Sequence, residues 1–113
     1  MADGADEAAI NNVVDQTIKK FGKITTLVNN AQVSKSGLPL VDHTREDIDL
    51  ALHSGLYAAF FYMRDCYPYL KESKGSVINF ASGAGLFGML GQSSYAAAKE
   101  GIRGMSRVAA AEW

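Results

Sequence analysis

The sequence has 113 residues, of which 48% are hydrophobic and 20% are charged, and its 11 basic and 12 acidic side chains leave a formal charge of −1. This balance provides no basic surface for nucleic acid and no polybasic segment for a membrane, so we expect neither as a partner. The beginning of the sequence lacks a signal-peptide pattern and its longest apolar run, residues 56–63, is too short to span a bilayer, which predicts a cytoplasmic protein.

The first third of the chain predicts a helix, a strand and a loop. Apolar residues recur every three or four positions between Ala5 and Phe21, which is typical of an amphipathic helix, and Gly22 follows as its C-cap. The short segment from Ile24 to Asn29 is rich in β-branched residues and predicts a strand buried on both faces. Residues 30–43 have no periodicity and contain turn-forming residues, so we expect a loop.

The middle of the chain predicts a long helix. Thr44 and Asp47 have the spacing of a capping box, which places the start of the helix there. The apolar pattern continues to about Tyr67, and we expect Pro68 and the polar residues 71–75 to end the helix.

A second strand and a last helix follow. Residues 76–81 are apolar enough for a buried strand, and Ser93 or Ser94 is a candidate N-cap for a helix that runs to the end of the sequence. The order helix, strand, helix, strand, helix predicts an α/β fold, a partial doubly wound parallel sheet of the Rossmann type. Because two strands are too few for such a sheet, we expect residues 1–113 to be the central part of one larger domain. The single cysteine, Cys66, is expected to be a buried apolar side chain, and no metal site is expected.

Glycines 83, 85 and 88 form the pattern GxGxxG after the second strand. This pattern binds dinucleotide phosphates only when a helix begins within the glycines and an acidic residue ends a following strand. Here residues 89–92 separate the glycines from the helix and no strand follows, so a flexible loop beside a substrate is favoured. Ser82 also differs from a hydrolase nucleophile, because Phe80 stands where that motif requires glycine.

Tyr95 and Lys99 carry the strongest chemical signal. They are four residues apart at the start of the last helix, so they share one face, whereas the second Tyr-x-x-x-Lys pair, Tyr67 and Lys71, surrounds a proline. The ammonium group and the helix N-terminus both favour the phenolate form of Tyr95. Tyr95 could then exchange a proton with an alcohol or carbonyl oxygen, and Ser82 could donate a hydrogen bond to the same oxygen. Hydride would have to come from a nicotinamide cofactor.

At this point the sequence resembles the classical short-chain dehydrogenases/reductases, and in particular the bacterial members similar to ketoacyl reductases. Residues 27–31 are similar to the segment that contains the family's NNAG motif, and Ser82, Tyr95 and Lys99 have the family's active-site types and spacing. The resemblance covers the whole sequence. It implies an NAD- or NADP-dependent oxidoreductase of alcohol or carbonyl substrates, which in the intact form would be a homodimer or homotetramer.

The resemblance also assigns roles. Tyr95 would be the acid/base, Lys99 would stabilise the tyrosinate and hold the nicotinamide ribose, and Ser82 would orient the substrate oxygen. The cofactor-binding residues would be Asn29, Asn30, Ala31, Tyr95, Lys99 and, with support only from the extreme N-terminus, Asp3.

Two positions depart from the family's pattern. Gln32 replaces the glycine after NNA, where a side chain is expected to crowd the site, and Gly55 replaces the catalytic asparagine. The glycine-rich cofactor loop and the substrate lid are not in this sequence, so we expect negligible turnover from residues 1–113 alone. These departures leave a second hypothesis open, in which the chain is a catalytically dead interaction module of the same fold.

Overall fold

The computed structural model describes residues 6–113, and Asp3 lies outside this range. The helices are α1 (Glu7–Phe21), α2 (Arg45–Ala51), α3 (Ala58–Ser73), α4 (Gly83–Phe87) and α5 (Ser93–Glu112), and the strands are β1 (Thr26–Asn29) and β2 (Ser76–Asn79). A π-helix over Leu52–Tyr57 joins α2 to α3, and a 3₁₀ turn over Leu40–Asp42 lies in the loop before α2.

The two strands form a parallel pair in which Thr26 is opposite Ser76 and Asn29 is opposite Asn79. The continuous helical segment from α2 to α3 makes the crossover between them, so the predicted α/β architecture is confirmed. Both strands are shorter than predicted. The backbone pairing nevertheless continues one step further, because the Phe80 amide donates to the Asn29 carbonyl at 3.3 Å.

Helices cover one face of this sheet over residues 6–113. Leu27 and Val77 lie against the buried cluster of Val14, Cys66 and Leu70, which comes from α1 and α3. The alternate strand residues Val28 and Ile78 point the other way and are 53% and 49% exposed. The prediction of a strand buried on both faces is therefore wrong for this part of the chain, whereas the predicted burial of Cys66 is confirmed.

Local capping signals fix the first helix as expected. Asp6 caps its start by accepting from the Ala9 amide at 2.9 Å, and Gly22 ends it with φ of 80°. The Gly22 amide donates to the Ile18 carbonyl at 2.8 Å, which satisfies one of the carbonyls left open at a helix C-terminus.

The second helical segment starts as predicted, and it ends within the predicted polar stretch 71–75 rather than at Pro68. Thr44 and Asp47 form a reciprocal capping box, with bonds of 3.0 and 3.2 Å between each side chain and the other residue's amide. Pro68 does not end the helix, and α3 continues to Ser73 before Lys74 adopts a left-handed conformation. The proline removes only one helical donor, and the packing of Cys66 and Leu70 on either side of it in the core holds the helix together.

The glycine pattern and the last helix also differ from expectation. Residues 83–87 form the short helix α4 rather than a loop, so a helix does begin within the glycines. The N-cap of α5 is Gln92, without a side-chain bond, and Ser93 and Ser94 are its first two residues. In residues 6–113 no helix combines the length and the hydrophobicity needed to cross a membrane.

Candidate active site

Of the predicted active-site side chains, Tyr95 and Lys99 lie together beside the end of β2, and Ser82 follows that strand by three residues. The chain leaves β2 at Asn79, passes Ser82, forms α4 and returns into α5. Gly85 of α4 lies so close to α5 that a β-carbon there would be 3.1 Å from the Ala96 carbonyl oxygen and would also strike Glu100. The helix that Ser82 caps therefore rests on the first turns of α5, at the residues that directly follow Tyr95 and Lys99.

Lys99 is the buried charge of this site. Its side chain is only 4% exposed, and its Nζ donates to the Phe80 carbonyl at 3.1 Å. The same Nζ lies 5.7 Å from the centre of the Tyr95 ring. Burying an ammonium group is costly unless it has hydrogen-bond partners, and the Phe80 carbonyl just after β2 is such a partner for this cation. The predicted proximity of Tyr95 and Lys99 on one helix face agrees with this geometry.

The Ser82 hydroxyl can accept one hydrogen bond and donate another. Its Oγ accepts from the Ala84 amide at 3.1 Å and so caps α4. A serine hydroxyl that accepts in this way keeps its own hydrogen available for a second partner. Ser82 is half-buried, so this donor can reach a molecule placed at the end of the sheet.

Asn29, which is predicted to line the cofactor, also forms a hydrogen bond within the protein. Asn29 Nδ2 donates to Asn79 Oδ1 at 2.8 Å, which joins the ends of the two strands. Asn79 Nδ2 in turn donates to Ser106 Oγ of α5 at 2.8 Å. Asn30 and Ala31 follow β1 and are exposed at the same end of the sheet. The cofactor roles of these residues stay predictions, and Asp3 lies outside the described residues.

Gln32 does not protrude into the cleft between the strand ends. Its side chain instead lies against the α-carbon of Gly55 in the π-helix. Its backbone has no positive φ, so the turn that follows Ala31 does not require the glycine that the family has there. The two departures from the family's pattern are therefore in contact with each other, and no local sequence pattern signals this contact.

His43 is a further residue that sequence reasoning missed. Its Nδ1 lies 3.2 Å from Ser93 Oγ and 3.1 Å from the Pro39 carbonyl, and its Nε2 lies 3.3 Å from Ser94 Oγ. The ring thereby joins the 3₁₀-turn region to the first turn of α5, immediately before Tyr95. Fifty residues separate the partners, and no local pattern signals such a contact.

The arrangement combines a phenol, a buried ammonium and a hydroxyl donor, which suits proton transfer to an oxygen atom. Among residues 6–113 no three His, Cys, Asp or Glu side chains are grouped to hold a metal ion. A separate groove lies between α3, β2 and the end of α5. It is lined by residues that include Met63, Val77 and Trp113 and by none of the three active-site candidates.

Comparison with known proteins agrees with this geometry. The family model for short chain dehydrogenases matches residues 1–113. A 12α-hydroxysteroid dehydrogenase from Clostridium sp. is 64% identical over 107 residues, which cover 95% of this chain and 41% of that enzyme.

Solved structures share the fold closely. The crystal structure of levodione reductase superposes with a TM-score of 0.93 at 33% identity, covering 99% of this chain and 44% of the other. NAD⁺-bound xylitol dehydrogenase has a TM-score of 0.91 at 27% identity, covering 98% and 43%. ElxO with NADP bound has a TM-score of 0.92 at 28% identity, covering 98% and 45%. The chain thus spans less than half the length of each of these relatives.

Proposed function

Because the chain belongs to the short-chain dehydrogenase family, we propose that it is the central part of a single NAD(P)-binding domain of Rossmann type. The domain would belong to an oxidoreductase that transfers hydride between NAD or NADP and an alcohol or carbonyl substrate. The apolar sheet face carrying Val28 and Ile78, which is about half exposed, supports a larger domain. The relatives solved with NAD⁺ and with NADP support the cofactor class.

The buried ammonium of Lys99 is the observation that carries this proposal. It lies against the Tyr95 ring and is held by the Phe80 carbonyl at the end of β2. A positive charge held beside the ring stabilises the negative charge that develops on the phenol oxygen while a proton is transferred. Tyr95 is then the group that takes a proton from an alcohol oxygen in one direction and returns it in the other.

Ser82 completes the proton-transfer site. Its oxygen already accepts from the Ala84 amide, so its own hydrogen stays available to donate to a substrate oxygen. A donor fixed in advance stabilises the charge that develops on that oxygen. Lys99, Tyr95 and Ser82 therefore have separate tasks: one sets the charge, one moves the proton and one orients the substrate.

The residues present fit part of a dinucleotide. Nζ of Lys99 can donate three hydrogen bonds, and among residues 6–113 the Phe80 carbonyl is the one acceptor within reach. The remaining donors suit the hydroxyl groups of a ribose, and the exposed residues Asn30 and Ala31, just after β1, suit a flat ligand laid across the end of the sheet. NAD or NADP, when bound, supplies or accepts the hydride.

We infer that the substrate is a 12α-hydroxysteroid or the corresponding ketone. The 64% identity to a 12α-hydroxysteroid dehydrogenase supports this choice. The end of α4 and the residues after it support this choice too, because Phe87 and Leu90 are 81% and 98% exposed and provide apolar surface for a ring system. An interaction module without catalysis is not favoured, since the relatives are named as dehydrogenases and reductases.

The intact protein is further proposed to be a cytoplasmic homodimer or homotetramer. Apolar side chains at Phe60 and Trp113 are 44% and 50% exposed on α3 and just after α5, and together they provide a surface for a second subunit. Sedimentation equilibrium of the complete protein tests this assembly. A monomer at micromolar concentration would contradict it.

The substitution Tyr95→Phe tests the reaction. In the complete reading frame that carries these residues, we expect about a 100- to 10,000-fold loss of steroid oxidation with NAD⁺ or NADP⁺, because the phenol oxygen is the proton carrier. NADH or NADPH affinity, measured by fluorescence, should change little. The matched control is Tyr67→Phe, which alters the other Tyr-x-x-x-Lys pair. Unchanged activity in Tyr95→Phe, or an equal loss in both variants, would rule out the proposed role.

A further inference from the structure

The side chain of Gln32 fills a notch in the π-helix. Gly55 is buried there, and a β-carbon built on it would overlap Oε1 of Gln32 and lie 2.7 Å from its Cδ. The two positions are 23 residues apart in sequence, on the loop after β1 and on the crossover helix. The absence of a side chain at one position is therefore matched by an added side chain at the other.

Hydrogen bonds hold the Gln32 amide in this notch. Nε2 donates to the Ala51 carbonyl at 3.0 Å and to the Val33 carbonyl at 3.3 Å. Because both partners are acceptors, the amide nitrogen must face them and the oxygen must face Gly55. Oε1 is fully buried and has no hydrogen-bond partner among residues 6–113. The amide is thus retained for its two donor bonds and for its shape.

The same stretch is attached to the π-helix a second time. Ser54 Oγ accepts from the Val33 amide and donates to the Val33 carbonyl, both at 2.9 Å. Gln32 and Val33 are therefore both fixed to the π-helix, directly after Asn30 and Ala31 at the end of β1. Any movement of this contact would be passed to the two exposed residues proposed to lie beside the cofactor.

The π-helix also meets the helix that carries the active-site tyrosine and lysine. A β-carbon on Gly101 would lie 2.9 Å from Leu56 Cδ2, so the residue after Gly55 packs directly on α5. One segment thus contacts the loop after β1 through Gln32 and contacts α5 two residues beyond Lys99. The filled notch lies between the two halves of the site.

We propose that Gln32 and Gly55 are an exchanged pair, in which the loop supplies the amide that the family's asparagine would supply from the helix. On the premise of the proposed function, Gln32 is a positioning residue that sets the distance between the loop after β1 and the π-helix. The notch stays filled, but here the loop contributes the side chain and the helix contributes the glycine, which is the reverse of the family's arrangement. Neither departure therefore disrupts the structure of the site.

A thermal-stability cycle in the complete protein tests the exchange without using activity. Alanine in a helix is normally more stable than glycine, by about fivefold in the unfolding equilibrium constant. We expect Gly55→Ala to lower the melting midpoint in the natural background, because Gln32 occupies the space, and to raise it in a Gln32→Ala background. The control is Gly104→Ala on α5, which has nothing within 4 Å and should raise the midpoint in both backgrounds.

Cofactor binding tests the positioning role. At a temperature well below every melting midpoint, Gln32→Ala should weaken NADH or NADPH binding about tenfold. The swapped variant Gln32→Gly with Gly55→Asn should return to within about twofold of the natural affinity. Equal effects of Gly55→Ala in both backgrounds would overturn the exchange, and unchanged cofactor affinity in Gln32→Ala would overturn the positioning role. If the natural protein bound neither nucleotide, the proposed function would fail while the stability cycle would still decide the exchange.

Discussion

The two halves of α5 differ sharply in their surroundings. All of the buried residues of this helix lie in its first half, and they are Ser94, Ala98, Lys99 and Ile102. In the second half Val108 is 57% exposed, and Trp113 just beyond the helix is 50% exposed. The first half is covered by the π-helix and α4, whereas the second half borders an open groove. Burial along this helix is thus set by the neighbouring elements. Tyr95 and Lys99, the candidate active-site residues, belong to the half that contains the buried residues.

The largest expected effect contrasts one apolar residue from each half. Ile102→Ala should lower the free energy of unfolding by about 2–5 kcal/mol, because the side chain is 2% exposed and its removal leaves a cavity. Val108→Ala should cost less than about 1 kcal/mol in the same helix. Urea denaturation of the complete protein measures both. Equal losses would mean that the second half is buried by parts of the protein outside these residues or by another subunit.

The next effect concerns the charge inside the packed half. Lys99→Met keeps the length of the side chain but removes the ammonium that sits on the Phe80 carbonyl. We expect turnover to fall about 100- to 1,000-fold, the usual cost of losing one preorganised charged donor. Arg107→Met in the exposed second half is the control and should leave turnover unchanged. Steady-state kinetics with the proposed steroid substrate decide this, and a loss below tenfold in Lys99→Met would contradict the role given to the buried charge.

The smallest effect extends the contrast to α3, where Cys66 lies on the packed side. Burial, with a further contribution from Asp65, raises the pKa of its thiol from 9.0 to about 11. The folded protein therefore keeps this proton where the unfolded chain loses it, so stability falls as pH rises from about 9 towards 11. Cys66→Ala should remove about 1 kcal/mol of the stability lost between about pH 8 and pH 10.

Tyr62 on α3 also has a pKa raised by burial and, to a smaller extent, by the neighbouring Cys66 thiolate, so Cys66→Ala also removes part of the Tyr62 contribution to alkaline destabilisation. Denaturation at the two pH values measures the difference between the natural protein and Cys66→Ala. Identical pH dependence in the two would show that the Cys66 thiol is not shielded from water in the complete protein.

Features set by neighbouring residues were predictable from the sequence. The C-cap at Gly22 and the capping box of Thr44 and Asp47 involve contacts within four residues, and each appears as predicted. The spacing of Tyr95 and Lys99 likewise fixes them on one face of any helix that contains both. These signals were enough to give the architecture and the central pair of the candidate site.

Features set by distant partners were not predictable. Pro68 continues its helix because the core holds both of its flanks, and helix propensity alone contains no information on that packing. Ser93 and Ser94 appeared to be caps, yet their hydroxyls are directed to His43, fifty residues away. Gln32 and Gly55 are two separate departures in the sequence, and only the fold brings them together. A single sequence without contact information cannot distinguish two losses from one exchange.

The two-stranded sheet has a consequence for how this segment behaves in isolation. Over residues 6–113 each strand has a hydrogen-bonded neighbour on one side only, so both outer edges present free backbone donors and acceptors. Such edges are templates onto which a strand from another molecule can add. The exposed Val28 and Ile78 beside them give an incoming strand apolar surface to cover. The segment alone is therefore expected to associate with itself increasingly as its concentration rises, edge to edge, even where every helix is correctly folded.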